Sequence, residues 1–153
     1  MLIGIIAVAV FLLDWFSKSW VVTHMVPGQS IQVIPGFFSL TFVENAGAAF
    51  GLLQRQTLLF IVIALLVIVL ILTYGRAASR ERPWMATAFG LQLGGAAGNL
   101  VDRVFFHGLV VDFIDFHVWP FVFNVADAAI VIGGALFALL LLRDSRTDVG
   151  GQG

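Results

Sequence analysis

Hydrophobic residues make up 60% of the 153-residue chain and charged ones only 11%, with a net charge of −1 and no cysteine. A soluble domain carries roughly 25% charged residues, so this composition cannot clothe a water-facing surface and specifies an integral membrane protein. The near-neutral charge lacks the basic stripe that a nucleic-acid partner requires, and without cysteine there is neither a disulfide nor a thiolate metal site.

The length suits a single domain, 1–153. The first apolar segment, residues 2–22, contains Asp14 and Lys18. Its first basic residue is Lys18 and it has no small-x-small cleavage site, so it reads as a retained span and not a cleaved leader. Asp14 and Lys18 are of opposite sign at i, i+4, the spacing of an ion pair facing the bundle interior, which makes them structural support. Beyond it, "GFFSLTFVEN" alternates apolar and polar residues after Phe38, as a half-buried strand does. The following "AGAAFGLL" reads as a short interfacial helix.

Residues 57–74 are an uncharged run long enough to cross about 30 Å of hydrocarbon. Residues 84–101 form a third span rich in small residues. Gly90, Gly94 and Gly98 recur every four residues and leave one helix face nearly bare, which lets neighbouring helices approach closely. Asn99, Asp102 and Arg103 follow at i, i+3 and i+4, a spacing that projects them from one side. The fourth span, 121–142, carries Asn124 and Asp127 on one face, with Asp127 about two turns in, too deep for so short a side chain to reach water. Residues from about 146 to 153, ending in "GGQG", read as a disordered tail. Arg76, Arg80 and Arg82 between spans two and three, with Arg143 and Arg146 after span four, place both termini and the "GRAASRERP" loop in the cytoplasm by the positive-inside rule. Connections 23–56 and 102–120 then face outward. The expected fold is a mainly α membrane protein with four transmembrane helices, a small extracytoplasmic β-like cradle and an interfacial helix.

The outer stretch "VVDFIDFHVWPFVFNVADAA", residues 110–129, holds Asp112, Asp115 and Asp127 among aromatic and branched residues. If the chain turns back at Pro120, Asp112 and Asp127 meet in a cleft lined by Asn45, Asn99 and Asn124. Two carboxylates brought close cannot both ionise cheaply, so one holds a proton and the other does not. Such a pair supplies a general base and a general acid at one pH, the requirement for water attack on a peptide carbonyl. Serine chemistry lacks a well-placed partner outside the Ser17–Lys18–Ser19 cluster. Two other readings stand beside the acid pair. Asp112, Asp115 and His117, with His107 nearby, offer ligands for a divalent ion in a metal-dependent hydrolase, though their spacing matches no strong metal motif. Asp14, Asp102 and Asp127 offer a cation or proton path in a small transporter or channel subunit.

Taken in order, "DWFSK" (14–18), "NAGAAF" (45–50), "GGAAGNLVDR" (94–103), "VVDFIDF" (110–116) and "FNVADAA" (123–129) resemble the motif blocks of the lipoprotein signal peptidases, also called signal peptidase II. The resemblance spans nearly the whole chain. It implies a bacterial inner-membrane aspartyl endopeptidase, without metal or other cofactor, that cuts diacylated prolipoproteins before the lipidated lipobox cysteine at the outer face. It implies a monomer in contact with membrane lipid, with no nucleic acid. It places the catalytic pair on Asp112 and Asp127, substrate contacts on Asn45, Gly47, Asn99, Arg103 and Asn124, and structural support on Asp14, Lys18 and Asp102. The strand-like 37–45 segment and a 47–53 helix would form a cradle and lid. Ala46 stands where the family often has Thr, and Ala128 where it often has Ser or Thr; neither removes a catalytic group.

Overall fold

The computed structural model describes residues 1–47 and 56–150, the last five by backbone alone. Helix α1 is Leu2–His24, α2 is Thr57–Leu70, α3 is Arg76–Ala78, α4 is Pro83–Phe105 and α5 is Val125–Gly150. Strands β1 (Ser30–Ile34), β2 (Phe38–Asn45), β3 (Val110–Phe116) and β4 (Val122–Phe123) make one antiparallel sheet in the order β1-β2-β3-β4. The interfacial helix expected over 47–53 falls, apart from Gly47, outside the described residues, as do 151–153 of the expected tail. The backbone of α5 continues past 146 to Gly150.

Among the described residues three helical stretches, Leu2–His24, Thr57–Ala78 and Val125–Ser145, are long and apolar enough to cross a membrane by length and composition. The fourth expected span, α4, has the length, about 35 Å at 1.5 Å per residue, but carries glycines and polar groups in place of a greasy surface. The reason is its position: α4 packs against α1, α2 and α5 and is buried along its length. Its partners instead turn Ile5, Val8, Leu12, Leu66, Val69, Val131 and Leu139 outward. In water those side chains would oppose folding; in lipid they are the matched surface.

The bare face of α4 sets how closely the helices meet. A Cβ on Gly94 would lie 2.6 Å from the Ala7 carbonyl oxygen of α1, and one on Gly95 would lie 2.5 Å from that of Ala126 in α5. Helix α2 leaves the α-helical register over Ile71–Gly75, a π turn. There Thr73 Oγ1 donates to the carbonyls of Val69 and Leu70 at 2.7 and 3.2 Å.

The sheet caps one end of the bundle. Phe42, Val111 and Phe113 pack with Val21 and Met25 at the end of α1, with Leu40, Ile114 and Val125 at the margin. Between Leu40↔Ile114 and Val43↔Asp112 the β2–β3 register shifts by a bulge. Because side chains alternate between faces, that extra residue moves Val43 and Asn45, instead of Phe42 and Glu44, onto the face that carries Asp112.

Candidate active site

The chain does reverse after Phe116: Trp119 N donates to Phe116 O, and β4 returns antiparallel with Phe123 opposite Ile114. Helix α5 therefore starts at Val125, not at 121, and Asp127 stands in its first turn instead of two turns in. Asn124 precedes the helix and caps it. Its Oδ1 accepts from Asp127 N at 2.8 Å, while Asn124 N donates to Asp127 Oδ2 at 3.4 Å, a reciprocal capping box. Asp14 of α1 accepts from the next free amide, Ala126 N, at 2.9 Å. A carboxylate at N3 also sits favourably against the positive end of the helix dipole.

Asp112 and Asp127 both line the same two cavities and are held by amides. Asn45 Nδ2 and Asn124 Nδ2 each donate to one Asp112 oxygen, at 2.8 and 2.6 Å. Asn99 Nδ2 donates to Asp127 Oδ1 at 2.7 Å. Burial pushes the Asp112 carboxyl up to about 7, reinforced by the negative charge of Asp127 and opposed by the hydrogen bonds from Asn45 and Asn124. Two carboxyls enclosed together in this way can share one proton near neutral pH, the condition for an acid and a base at one site.

Behind the pair lies a cation that the sequence ties only to Asp14. Lys18 Nζ contacts Asp14 Oδ2 at 2.7 Å, Asp102 Oδ2 at 2.9 Å and Asn99 Oδ1 at 3.0 Å. An ammonium can only donate, so Lys18 fixes the Asn99 oxygen towards itself and the Asn99 amino group towards Asp127. Asp102 also accepts from Val111 N at 3.1 Å, anchoring β3 beside the pair. The shared orientation expected for Asn99, Asp102 and Arg103 is thus divided. Asp102 turns to α1, whereas Arg103 turns to α2, donating to Asn99 O at 3.3 Å and Gly47 O at 3.2 Å, with its guanidinium 4.9 Å above the Phe60 ring. Gly47 in turn donates to Asn45 Oδ1 at 2.9 Å.

Two chambers open from the pair. One, about 310 Å³, runs between α2, α4 and α5 past Phe60, Ile63, Ala64, Val67, Ala96 and Ile130 to Gln92. The other, about 480 Å³, runs at the level of the sheet past Phe116, Trp119, Phe121 and Phe123. Phe60 and Gln92 had no signal in the sequence, because only the packing of α2 on α4 aims them at the cavity.

Asp115 and His117 do not join Asp112. An odd separation along β3 puts Asp115 on the opposite face from Asp112, where its Oδ2 accepts from Thr41 Oγ1 at 2.6 Å, and His117 Nε2 pairs with Ser39 Oγ at 2.9 Å. The ligand set for a metal-dependent hydrolase is therefore not assembled, and among the described residues no other group of three His or acidic side chains is placed to hold an ion. The transporter path is not favoured either, since Asp14 and Asp102 are both tied to the same cation, Lys18.

Comparison with known proteins points one way. The family described as Signal peptidase (SPase) II matches residues 6–143. The chain is 47% identical over 139 residues to the lipoprotein signal peptidase of Syntrophomonas wolfei, covering 91% of each chain. It is 45% identical over 148 residues to that of Desulfitobacterium hafniense, covering 97% of each. Two solved structures described as bacterial membrane enzymes superpose with TM-scores of 0.87 and 0.82 at 35% and 36% identity. Each covers 92% of this chain, over 87% and 92% of their own lengths.

Proposed function

The chain belongs to the signal peptidase II family, and on that footing we propose that Asp112 and Asp127 are its catalytic pair. The protein is an aspartic endopeptidase that removes signal peptides from prolipoproteins. The observation that supports the assignment of the pair is their joint enclosure: two carboxylates at the junction of two apolar chambers, each held by neutral amides.

In this reading the ionised aspartate takes a proton from water as its oxygen attacks the scissile carbonyl carbon. The protonated aspartate gives its proton to the carbonyl oxygen, forming a neutral gem-diol. As the C–N bond breaks, one diol proton returns to the carboxylate that had protonated the carbonyl oxygen, the other stays on the product carboxylic acid, and the departing nitrogen takes the proton that the first aspartate drew from water. Asn45, Asn99 and Asn124 keep both carboxyl groups in place throughout. Arg103 and Gly47 hold the entrance to the deeper chamber and contact the substrate backbone. Asp14, Lys18 and Asp102 support the site from behind.

The substrate carries a membrane-spanning signal peptide and, in this proposal, two acyl chains on the cysteine after the cut. It reaches the pair sideways from lipid. We place the sheet and the pair at the outer face of the bacterial inner membrane and both termini in the cytoplasm, from the arginines clustered at the opposite end of the bundle. A single chain contains the whole site, so the working unit is a monomer. The test is cleavage of a diacylated prolipoprotein by purified protein. Asp112→Asn and Asp127→Asn each reduce the rate by at least about 10³-fold while remaining folded in detergent; full activity in either removes that residue from the pair.

A further inference from the structure

We propose that the chamber between α2, α4 and α5 receives the signal-peptide segment just upstream of the scissile bond, and that Gln92 is a specificity-determining residue donating a hydrogen bond to an open backbone carbonyl there. The inference rests on the peptidase reading of the site.

Depth chooses the occupant. Starting at the acid pair, the chamber follows α4 from Asn99 through Ala96 to Gln92, and α2 from Phe60 to Val67, in both cases away from the sheet. It passes Ile130, one turn beyond Asp127 in α5. That direction leads into the hydrocarbon, where the apolar body of a signal peptide lies. The other chamber stays beside Phe116, Trp119 and Phe121 at the level of the sheet.

Gln92 is the one polar side chain at the far end of this otherwise apolar stretch of wall. Seven residues separate it from Asn99, about 10 Å along the helix axis. An extended peptide advances about 3.3 Å per residue, so three residues upstream of the scissile bond bridge the same distance. A protease must hold the peptide extended at the cut, yet the upstream segment crosses lipid as a helix. The junction leaves the last carbonyls of that helix without partners, and in hydrocarbon nothing else can satisfy them. The Gln92 amino group is available for this: among the described residues it makes one long bond, 3.4 Å, to Ala88 O of its own helix. The stem of Gln92 has a separate packing role, since a Cβ on Gly133 would lie 2.9 Å from its Cγ.

A methionine keeps that stem and removes the amide, so Gln92→Met separates packing from hydrogen bonding. The substrate is a diacylated prolipoprotein peptide and a second version whose carbonyl three residues upstream of the cut is weakened by placing an α-hydroxy acid next in the chain. With wild-type enzyme the ester version raises KM about three- to tenfold, the range of one neutral hydrogen bond. Gln92→Met does the same to the all-amide peptide with little change in kcat, and the ester then has no further effect. Moving the ester two residues upstream leaves wild type unaffected. Two multiplying effects, or a Gln92→Met enzyme indistinguishable from wild type, overturn the proposal. Coupling of Gln92→Met to ether-linked in place of ester-linked acyl chains also overturns it, by assigning the amide to the lipid. Failure of wild type to cut either peptide instead overturns the peptidase reading itself.

Discussion

Replacing Lys18 by methionine tests the polar support most directly. The side chain keeps its length, but Asp14 and Asp102 are left facing one another with no cation, and Asn99 Oδ1 loses its donor. All three ionic groups are buried: side-chain exposures are 5% for Lys18, 1% for Asp14 and 4% for Asp102. Removing one partner of such a cluster costs about 3–5 kcal/mol, chiefly because the charges left behind cannot be hydrated. For a chain of this size each kcal/mol is worth about 2–4 °C, so the melting temperature in detergent falls by roughly 6–20 °C. Activity falls further than stability, because a freed Asn99 amide no longer holds its amino group towards Asp127. The compensated triple variant Asp14→Asn/Lys18→Met/Asp102→Asn recovers at least half of the lost melting temperature, measured by thermal unfolding monitored through tryptophan fluorescence. A Lys18→Met protein that melts within 2 °C of wild type, with 2 °C taken as about the effect of 1 kcal/mol, refutes the reasoning.

Asp112 makes stability depend on pH in a definite direction. Its folded value near 7 lies above the ordinary 3.8, so the native state keeps a proton that the unfolded chain releases, and this group's contribution declines as pH rises from about 4 to 7. Asp112→Asn removes that slope, so its melting temperature relative to wild type is higher at pH 8 than at pH 5, by the equivalent of up to roughly 3 kcal/mol; a difference that is flat with pH contradicts the burial argument. Gly95→Ala forces α4 away from α5 and costs about 1–3 kcal/mol, whereas Gly4→Ala, with nothing within 4 Å of the new Cβ, is neutral or slightly stabilising. Equal melting temperatures for the two alanine variants would mean that the α4–α5 approach is looser than the structure shows.

What was legible in the sequence followed from rules of spacing and composition. Apolar runs gave the spans, the Asp14–Lys18 spacing gave an ion pair, and a turn back before the last span was expected, at Pro120, where the chain in fact turns over Phe116–Trp119 and Asp112 and Asp127 line one cavity. What was not legible depended on contacts between elements distant in the chain. Neither the union of Lys18 with Asp102, 84 positions away, nor the divergence of Asp102 from Arg103 can be read from helical spacing, because adjacent residues on a helix point about 100° apart and packing decides which neighbour each meets. The start of α5 was misplaced because Val122 and Phe123 are as apolar as a membrane helix, and only pairing with β3 reveals them as strand. The bulge that delivers Asn45 to the face of Asp112 has no glycine or proline to announce it.

The arrangement separates orientation from charge. Groups in contact with the two carboxyls are asparagine amides, and the nearest cations stand one step behind them: Lys18 touches Asn99, and Arg103 touches the backbone of Asn99 and Gly47. An ammonium in direct contact would keep an aspartate ionised through the whole cycle and so prevent it from serving as an acid. An amide donor holds a carboxyl equally well in position but favours its ionised form far less. Under the proposed mechanism the proton then moves between base and acid roles while the geometry stays fixed. Lys18 contributes through the direction in which it locks the Asn99 amide, with its own charge already met by Asp14 and Asp102. The same logic explains why three asparagines from three different elements, β2, α4 and the cap of α5, converge on one pair of acids.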